Sequence, residues 1–361
     1  MLEKFFRLSA YGTDVRTEII AGITTFMTMA YILAVNPLIL SNAGMDRNAV
    51  FTATAVSSFI AIAIMAFYAN LPIALAPGMG LNAFFAYTVV MQMGYSWEMA
   101  LTAVFVEGII FILLTFFKVR EAIIDSIPLN LKHAISVGIG LYIALIGFSN
   151  AGIVVQNDAT LVSLGDVSDP KALLALSGII ITGVLLVFRV KGALVLGIMI
   201  TTLLGIPFGI THLPENGLVS LPPSPGPVFF KFDFSRLFTM DMLVVVFTFL
   251  FVDLFDTVGT LVGVCSKANL LDDMGRVPRA RQALFADAVG TAAGAVLGTS
   301  TVTSYIESAA GVSEGGKTGL TALVVGLLFL IALFFSPLFL MIPSAATAPA
   351  LVLVGLFMIS P

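Results

Sequence analysis

Two carboxylates occur within one strongly apolar stretch, residues 251–260, which reads Phe-Val-Asp-Leu-Phe-Asp-Thr-Val-Gly-Thr. Asp253 and Asp256 are three residues apart, so they lie on one face of a helix, and Thr257 extends that face with a hydroxyl group. An ionised carboxylate in hydrocarbon costs at least about 2.5 to 3.5 kcal/mol, so such residues are usually functional. They favour binding of a polar solute or a proton. The alternative is that one aspartate only cross-links neighbouring helices.

A second segment, residues 298–311, reads Gly-Thr-Ser-Thr-Val-Thr-Ser-Tyr-Ile-Glu-Ser-Ala-Ala-Gly. Its hydroxyl groups suit irregular backbone that lines a polar cavity, the only place where such backbone is tolerated at membrane depth. A helix that begins after them would direct the positive end of its dipole at the cavity, with Glu307 in its first turns. The Glu307 carboxylate can accept hydrogen bonds from ring N–H or amino groups of a solute. Alternatively, it caps the backbone N–H groups of its own helix.

A third segment, residues 76–87, reads Ala-Pro-Gly-Met-Gly-Leu-Asn-Ala-Phe-Phe-Ala-Tyr. Pro77 lacks a backbone donor and Gly80 permits unusual backbone conformations, so we expect an extended stretch that leads into a short helix. Asn82 offers amide donors and an acceptor near the start of that helix. Phe84 could stack on a flat heterocycle, although an aromatic residue in a membrane span more often serves packing.

Other polar residues are weaker signals. Glu107 and Asp287 lie in apolar runs and are candidates for a proton relay or for hydrogen bonds between helices. Two isolated histidines and the single cysteine, Cys265, do not form a metal site. No nucleotide-binding glycine motif and no catalytic Ser-His-Asp pattern occurs. We therefore expect neither an enzyme nor a cofactor.

The elements that position these residues must be membrane spans. The chain is 59% hydrophobic and 11% charged, whereas soluble domains carry about 25% charged residues. Apolar runs of spanning length predict helices at 18–40, 49–69, 73–93, 98–117, 129–148, 172–188, 192–210, 241–265, 282–298, 300–313, 319–335 and 338–358. Two of these, 73–93 and 300–313, contain the polar segments above and should be partly unwound.

The basic residues predict the orientation. With the N-terminus inside, most of the 17 Lys and Arg residues, including Lys118 and Arg120, fall in inside loops. Only Arg47, Lys171, Lys231 and Arg236 fall outside. The loops 149–171 and 211–240 are then structured outer connections. Seven spans separate the starts of two weakly similar halves, so the halves enter the membrane in opposite directions, as in secondary transporters.

The three polar segments together resemble those of the AzgA-like purine permeases, a branch of the nucleobase:cation symporter-2 superfamily. The resemblance runs from Arg7 to the end of the chain. It implies an all-α polytopic fold of fourteen spans in a seven-plus-seven inverted repeat, divided into core and gate domains, with short extended strands in the third and tenth spans. It also implies alternating-access import of adenine, guanine or hypoxanthine by proton symport.

The resemblance also implies roles for single residues. It assigns Asp253 and Glu307 as substrate-binding carboxylates, Gly80 and Asn82 as the third-span site, and Asp256 as a second acidic position important for transport. From the segments themselves we add Phe84 and Thr303 to the substrate site, and Asp253, Asp256 and Asp287 as candidates for proton coupling.

The expected organisation follows the repeat. It comprises a cytoplasmic N-terminus at 1–16, core spans 1–4 and the first gate span at 17–148, gate spans 6–7 with outer loops at 149–240, core spans 8–10 at 241–316, and an incomplete remainder at 317–361. The chain stops after about twelve spans, so we expect the last two gate spans to lie outside it. The expected location is the plasma membrane. The expected partners are a purine base, a proton, the lipid bilayer and a second copy of the chain, but no nucleic acid.

Three alternatives remain. An anion transporter of the same architecture, like sulfate permeases, would have to tolerate acidic residues at its site. A water-filled channel would use the carboxylates as a cation filter. A membrane receptor or assembly subunit would need a sizeable soluble domain, and none is evident.

Overall fold

Long apolar helices dominate the computed structural model, which describes residues 2–117, 129–157, 160–214, 217–272 and 276–359. Within these ranges, six helices are long and apolar enough to cross a membrane: Val15–Asn42, Arg47–Ala69, Trp97–Thr115, Pro170–Val187, Met240–Lys267 and Gly319–Leu340. Each coincides with a predicted span. Lys118 and Arg120, which contributed to the predicted orientation, lie outside the described residues.

The elements follow one another in a mostly helical order. The helices are α1 (Leu2–Phe6), α2 (Val15–Met29), α3 (Ile32–Asn42), α4 (Arg47–Ile64), α5 (Met79–Ala83), α6 (Trp97–Phe116), α7 (Leu129–Asn150), α8 (Pro170–Val187), α9 (Ala193–Leu204), α10 (Met240–Lys267), α11 (Ala280–Leu297), α12 (Ser308–Ser313), α13 (Gly319–Ala332), α14 (Ser336–Leu340) and α15 (Ser344–Ile359). The strands are β1 (Leu75–Pro77), β2 (Val154–Asn157), β3 (Leu161–Leu164) and β4 (Val302–Ser304). Wider π-type turns continue α4 over Met65–Ala69 and α5 over Phe84–Gln92.

Three details differ from the prediction. The helix expected over 192–210 ends at Leu204. The span expected at 338–358 is interrupted, and its long helix begins only at Ser344. Pro343 explains the break, because a proline disfavours helical geometry in the residue before it. The loop at 149–171 also contains an antiparallel hairpin, β2 with β3, which the sequence pattern did not indicate.

Both predicted unwound spans are confirmed, and they meet each other. Strand β1 pairs antiparallel with β4, and each strand leads within a few residues to a short helix, α5 or α12. The ladder continues through the Gly78 N–H, which donates to the Thr301 carbonyl at 2.9 Å. A Cβ atom on Gly78 would lie 2.6 Å from the Thr303 methyl group. Glycine is therefore required for the strands to approach this closely.

The helices around this strand pair repeat their packing. Helix α11 packs on α6 and α4, and α13 packs on α4 and α2, so each of these contacts joins a helix of the second half to helices of the first. Small residues allow the close contacts, since a Cβ on Gly108 would lie 2.7 Å from the Ala292 nitrogen and one on Gly290 would lie 2.6 Å from the Ala61 Cβ. Contacts between helices of the two halves, arranged around an antiparallel strand pair, are the packing expected of an inverted repeat.

A second bundle consists of α7, α8, α9 and α15. Helix α7 packs closely on α15, where a Cβ on Gly140 would lie 2.5 Å from the Gly355 carbonyl oxygen. The two bundles touch where α5 meets α7, because a Cβ on Gly80 would lie 2.6 Å from the Ile139 methyl group. Gly80 thus permits the two bundles to approach each other.

The proline-rich loop before α10 is attached to the core helices by hydrogen bonds, although most of its residues are exposed. The Thr52 hydroxyl, on α4, donates to the Pro223 carbonyl at 2.7 Å. The Phe230 N–H donates to the carbonyl of Val296, near the end of α11, at 2.8 Å. The loop therefore crosses the ends of core helices that belong to both halves of the repeat.

Glu18 connects α2 to the start of α13, a role that the sequence analysis missed. Its buried carboxylate accepts hydrogen bonds from the backbone N–H groups of Lys317, Thr318 and Thr321 at 2.9 to 3.2 Å. The hydroxyls of Thr318 and Thr321 donate to it at 2.8 and 2.7 Å. One acidic side chain thus satisfies backbone donors at the start of α13 and complements the helix dipole.

We expect Glu18→Gln to lower the thermal unfolding midpoint of the detergent-purified protein by at least about 5 °C. An amide has one acceptor oxygen and turns its NH2 group toward the same donors, and each buried hydrogen bond left unmade costs about 1–3 kcal/mol. Glu314→Gln is the control, because the partly exposed Glu314 carboxylate pairs at 2.8 Å with the exposed Lys191 ammonium and such surface pairs contribute little. Equal shifts in both variants would contradict this role for Glu18.

Candidate functional site

The Thr257 hydroxyl is the centre of a buried polar cluster beside the strand pair. It lies 2.6 Å from Asp287 Oδ1, 2.8 Å from Thr303 Oγ1 and 3.4 Å from Asp253 Oδ1. All four side chains are buried. A hydroxyl has one proton to donate, so the Thr257 proton goes to one of these three neighbours, and the Thr303 hydroxyl in turn bonds both Thr257 and Asp256. The cluster joins α10, α11 and β4, and it brings together three residues that the sequence analysis selected.

Asp256 and Glu307 occupy a neighbouring region. Both side chains are half-buried, and the charges of Glu307 and Asp287 act on the Asp256 carboxyl group. The structure therefore places Asp256 within electrostatic range of both the Glu307 region and the Thr257 cluster. Asp253, by contrast, belongs to the buried cluster around Thr257.

Glu307 directly precedes α12 instead of lying in its first turns, and its carboxylate makes no capping hydrogen bond to that helix. The capping alternative is therefore wrong. Instead, the Tyr31 hydroxyl, from the junction of α2 and α3, donates to Glu307 Oε1 at 2.7 Å. The sequence analysis missed Tyr31, because a tyrosine within an apolar run carries no local sign of a partner 276 residues away.

Asn82 lies in α5 and is fully buried. The Ser300 hydroxyl donates to its side-chain oxygen. Its amide nitrogen has no hydrogen-bond partner among the described residues, and a buried donor of this kind costs free energy until something accepts from it. The arrangement thus holds one half of the amide in place and leaves the other half able to donate to a solute.

The residues on either side of Ser300 also bind polar side chains. Thr299 Oγ1 accepts from the Asn36 amide at 2.8 Å, and the Thr301 hydroxyl donates to Glu107 Oε2 at 2.7 Å. Glu107 therefore links α6 to the residue that precedes β4. This contact agrees with the prediction that Glu107 makes hydrogen bonds between elements of the bundle. The hydroxyl groups of this segment satisfy buried polar groups from three helices.

The remaining predicted residues lie at the edges of the site. Gly80 lies at the contact with α7, described above. The Phe84 ring packs edge-on against Phe249, with centroids 5.0 Å apart. Among the described residues, no group of three or more His, Cys, Asp and Glu side chains is arranged to hold a metal ion.

The site therefore offers acceptors and one spare donor at the starts of two short helices. A carboxylate accepts from N–H groups of a solute, and an amide nitrogen donates to a ring nitrogen or a carbonyl. Buried carboxylates bonded to a hydroxyl can also take up a proton, because low-dielectric surroundings disfavour the charged form.

Comparison with known proteins agrees with this architecture. The family model Xan_ur_permease, described as Permease family, matches residues 16–361. The adenine permease AdeP of Escherichia coli (strain K12) is 48% identical over 360 residues, which cover 100% of this chain and 80% of AdeP. The guanine/hypoxanthine permease PbuG of Bacillus subtilis (strain 168) is 45% identical over 371 residues, covering 100% of this chain and 84% of PbuG.

A solved structure supports the fold independently. The transmembrane domain of the cyanobacterium bicarbonate transporter BicA has a TM-score of 0.73 at 17% identity, and the match covers 95% of this chain and 88% of that domain. Similarity at this level shows the fold alone, which is the seven-plus-seven inverted repeat. The sequence matches go further and show that the chain belongs to the Permease family and is a transport protein, not an enzyme.

Proposed function

We propose that this chain imports purine nucleobases together with protons across the plasma membrane, by alternating access. Its relatives AdeP and PbuG are named adenine permease and guanine/hypoxanthine permease and align with nearly the whole chain. The observation that carries the proposal is that one half-helix offers the Glu307 carboxylate as an acceptor while the other offers the spare Asn82 amide as a donor. A purine presents both N–H donors and ring acceptors on one flat, neutral molecule.

Proton coupling is assigned to the buried cluster around Thr257. Asp253 and Asp287 both approach its hydroxyl, and two negative charges so near one another repel. Uptake of a proton by one of them, or by Asp256 beside them, removes the penalty for moving an excess charge through the membrane. Movement of the site would then be favourable only when proton and solute are both bound.

The two helical bundles have separate parts in this proposal. Helices α2 to α6 and α10 to α13 form the core that carries the solute, and α7, α8, α9 and α15 belong to the gate. The distribution of Lys and Arg residues supports a cytoplasmic N-terminus.

The fold also supports a second candidate, an anion transporter, since the BicA domain transports bicarbonate according to its title. The acidic residues argue against it. Asp256 and Glu307 are half-buried at the proposed site, and their charges would repel an anionic solute.

The direct test is uptake of radiolabelled adenine and hypoxanthine by cells that express the chain. We expect saturable uptake that unlabelled purines inhibit, that pyrimidines do not, and that a protonophore abolishes. Uptake that rises linearly with concentration would indicate a channel. Inhibition by sulfate or bicarbonate, without inhibition by purines, would favour the anion transporter.

We expect Glu307→Gln to weaken purine binding by at least about tenfold, because an amide retains one acceptor and loses the charge that strengthens each hydrogen bond. Binding is measured as the Kd of the purified protein for radiolabelled adenine and hypoxanthine. Asp241→Asn is the matched control, since Asp241 is an exposed carboxylate in the first turn of α10. Unchanged binding by Glu307→Gln would remove Glu307 from the site.

We expect Thr257→Val to reduce proton-driven accumulation of purine about tenfold while solute exchange continues, because the variant leaves the Asp253 and Asp287 carboxylates without their shared hydroxyl. Accumulation in an imposed pH gradient and counterflow without one are compared in proteoliposomes. Thr248→Val is the control, since the Thr248 hydroxyl donates to the Val244 carbonyl of its own helix. Equal losses in counterflow and accumulation would argue against a coupling role.

A further inference from the structure

A small apolar cavity of about 90 Å³ lies between α9 and the segment that contains α14. Its wall includes Ile198, Met199 and Leu203 on one side and Phe339 and Ile342 on the other. These elements belong to different bundles, since α9 packs with α8 and α15, whereas α14 packs beside α3 and α4. The cavity therefore lies at the boundary between the proposed core and gate.

Tyr31 contacts both this cavity and the polar site. It is one of the residues that line the cavity, and its hydroxyl donates to Glu307 Oε1 at 2.7 Å. Tyr31 is 2% exposed, so a buried side chain connects the cavity wall to the carboxylate. Gly192, at the start of α9, lies beside Met27, one helical turn before Tyr31. The cavity thus borders the part of α9 that follows this contact.

We propose that Tyr31 is a placeholder for the solute. When the site is empty, its hydroxyl occupies the Glu307 oxygen that the solute would otherwise use. A flat, uncharged base that enters through the apolar cavity displaces the hydroxyl and takes its place on Glu307. The inference rests on the proposed function and adds a competing group and a route. An apolar cavity admits a neutral planar heterocycle more easily than an ion or a sugar, because the cavity offers little to replace their hydration.

The placeholder role predicts an effect opposite in sign to that of an ordinary binding contact. Removal of a contact that stabilises the complex weakens binding. Removal of the Tyr31 hydroxyl would instead destabilise the empty site, because Glu307 loses a hydrogen bond there, and would leave the occupied site unchanged. The equilibrium then shifts toward the occupied site, and the solute binds more tightly.

The test is the Kd of the purified full chain for radiolabelled adenine and hypoxanthine. We expect Tyr31→Phe to lower the Kd by about tenfold for the base that the protein binds, since a hydrogen bond to a charged group has about that value. Tyr305→Phe is the matched control. The buried Tyr305 hydroxyl donates to the Pro77 carbonyl at 2.5 Å, so its loss should leave the Kd unchanged or raise it.

An unchanged or higher Kd in Tyr31→Phe would overturn the placeholder role. If the unsubstituted chain binds neither base, the proposed function fails as well, so the two failures are distinguishable.

The entry route through the cavity has its own test, which does not depend on whether Tyr31→Phe folds. Met199→Trp should fill the cavity and lower kcat/KM for uptake about tenfold without changing the Kd. Ile180→Trp, at an exposed position of α8, should change neither quantity. Normal uptake by Met199→Trp would overturn the route.

Discussion

The structure depends on the pairing of two short strands in the interior of a membrane protein. In hydrocarbon, each unsatisfied backbone N–H or C=O group costs several kcal/mol, so an interrupted span is stable only if its free backbone groups find partners within the protein. Here β1 and β4 satisfy each other, and the Tyr305 N–H extends the ladder to the Ala74 carbonyl at 3.0 Å. Neither interrupted span could be stable without the other.

This pairing determines where the functional groups lie. Because the strands run antiparallel and each leads into a short helix, α5 and α12 begin at opposite ends of the strand pair, and Asn82 and Glu307 belong to opposite halves of the repeat. The hydroxyl groups of residues 299–301 have a structural role in the same place, since they bind Asn36, Asn82 and Glu107 from three helices. The polarity of this segment is therefore required for stability, and the proposed solute site uses the same region.

The two bundles differ in how they are held together. Within the core, Glu18 attaches α2 to the start of α13 through both oxygens of its carboxylate, and glycine and alanine residues bring helices of both halves into close contact. The contact between α5 and α7 combines a glycine against an isoleucine side chain with hydrogen bonds at the periphery, since the hydroxyls of Thr88 and Tyr142 lie 3.0 Å apart and the Tyr87 hydroxyl donates to Asn150 at 3.4 Å.

Much of this organisation could be predicted from the amino-acid sequence. The apolar runs specify the spans because a bilayer has one thickness, and Pro77, the glycines near it and the hydroxyl-rich segment before Glu307 specify the interruptions because they are local backbone effects. The carboxylates were conspicuous because acidic residues are costly in such surroundings. Only the tertiary structure decided which groups meet. The contacts of Tyr31 with Glu307, of Glu18 with α13, and of Thr257 with Asp287 and Thr303 join residues that are distant along the chain, and no local pattern encodes them. The helix packing and the antiparallel register of β1 and β4 create them.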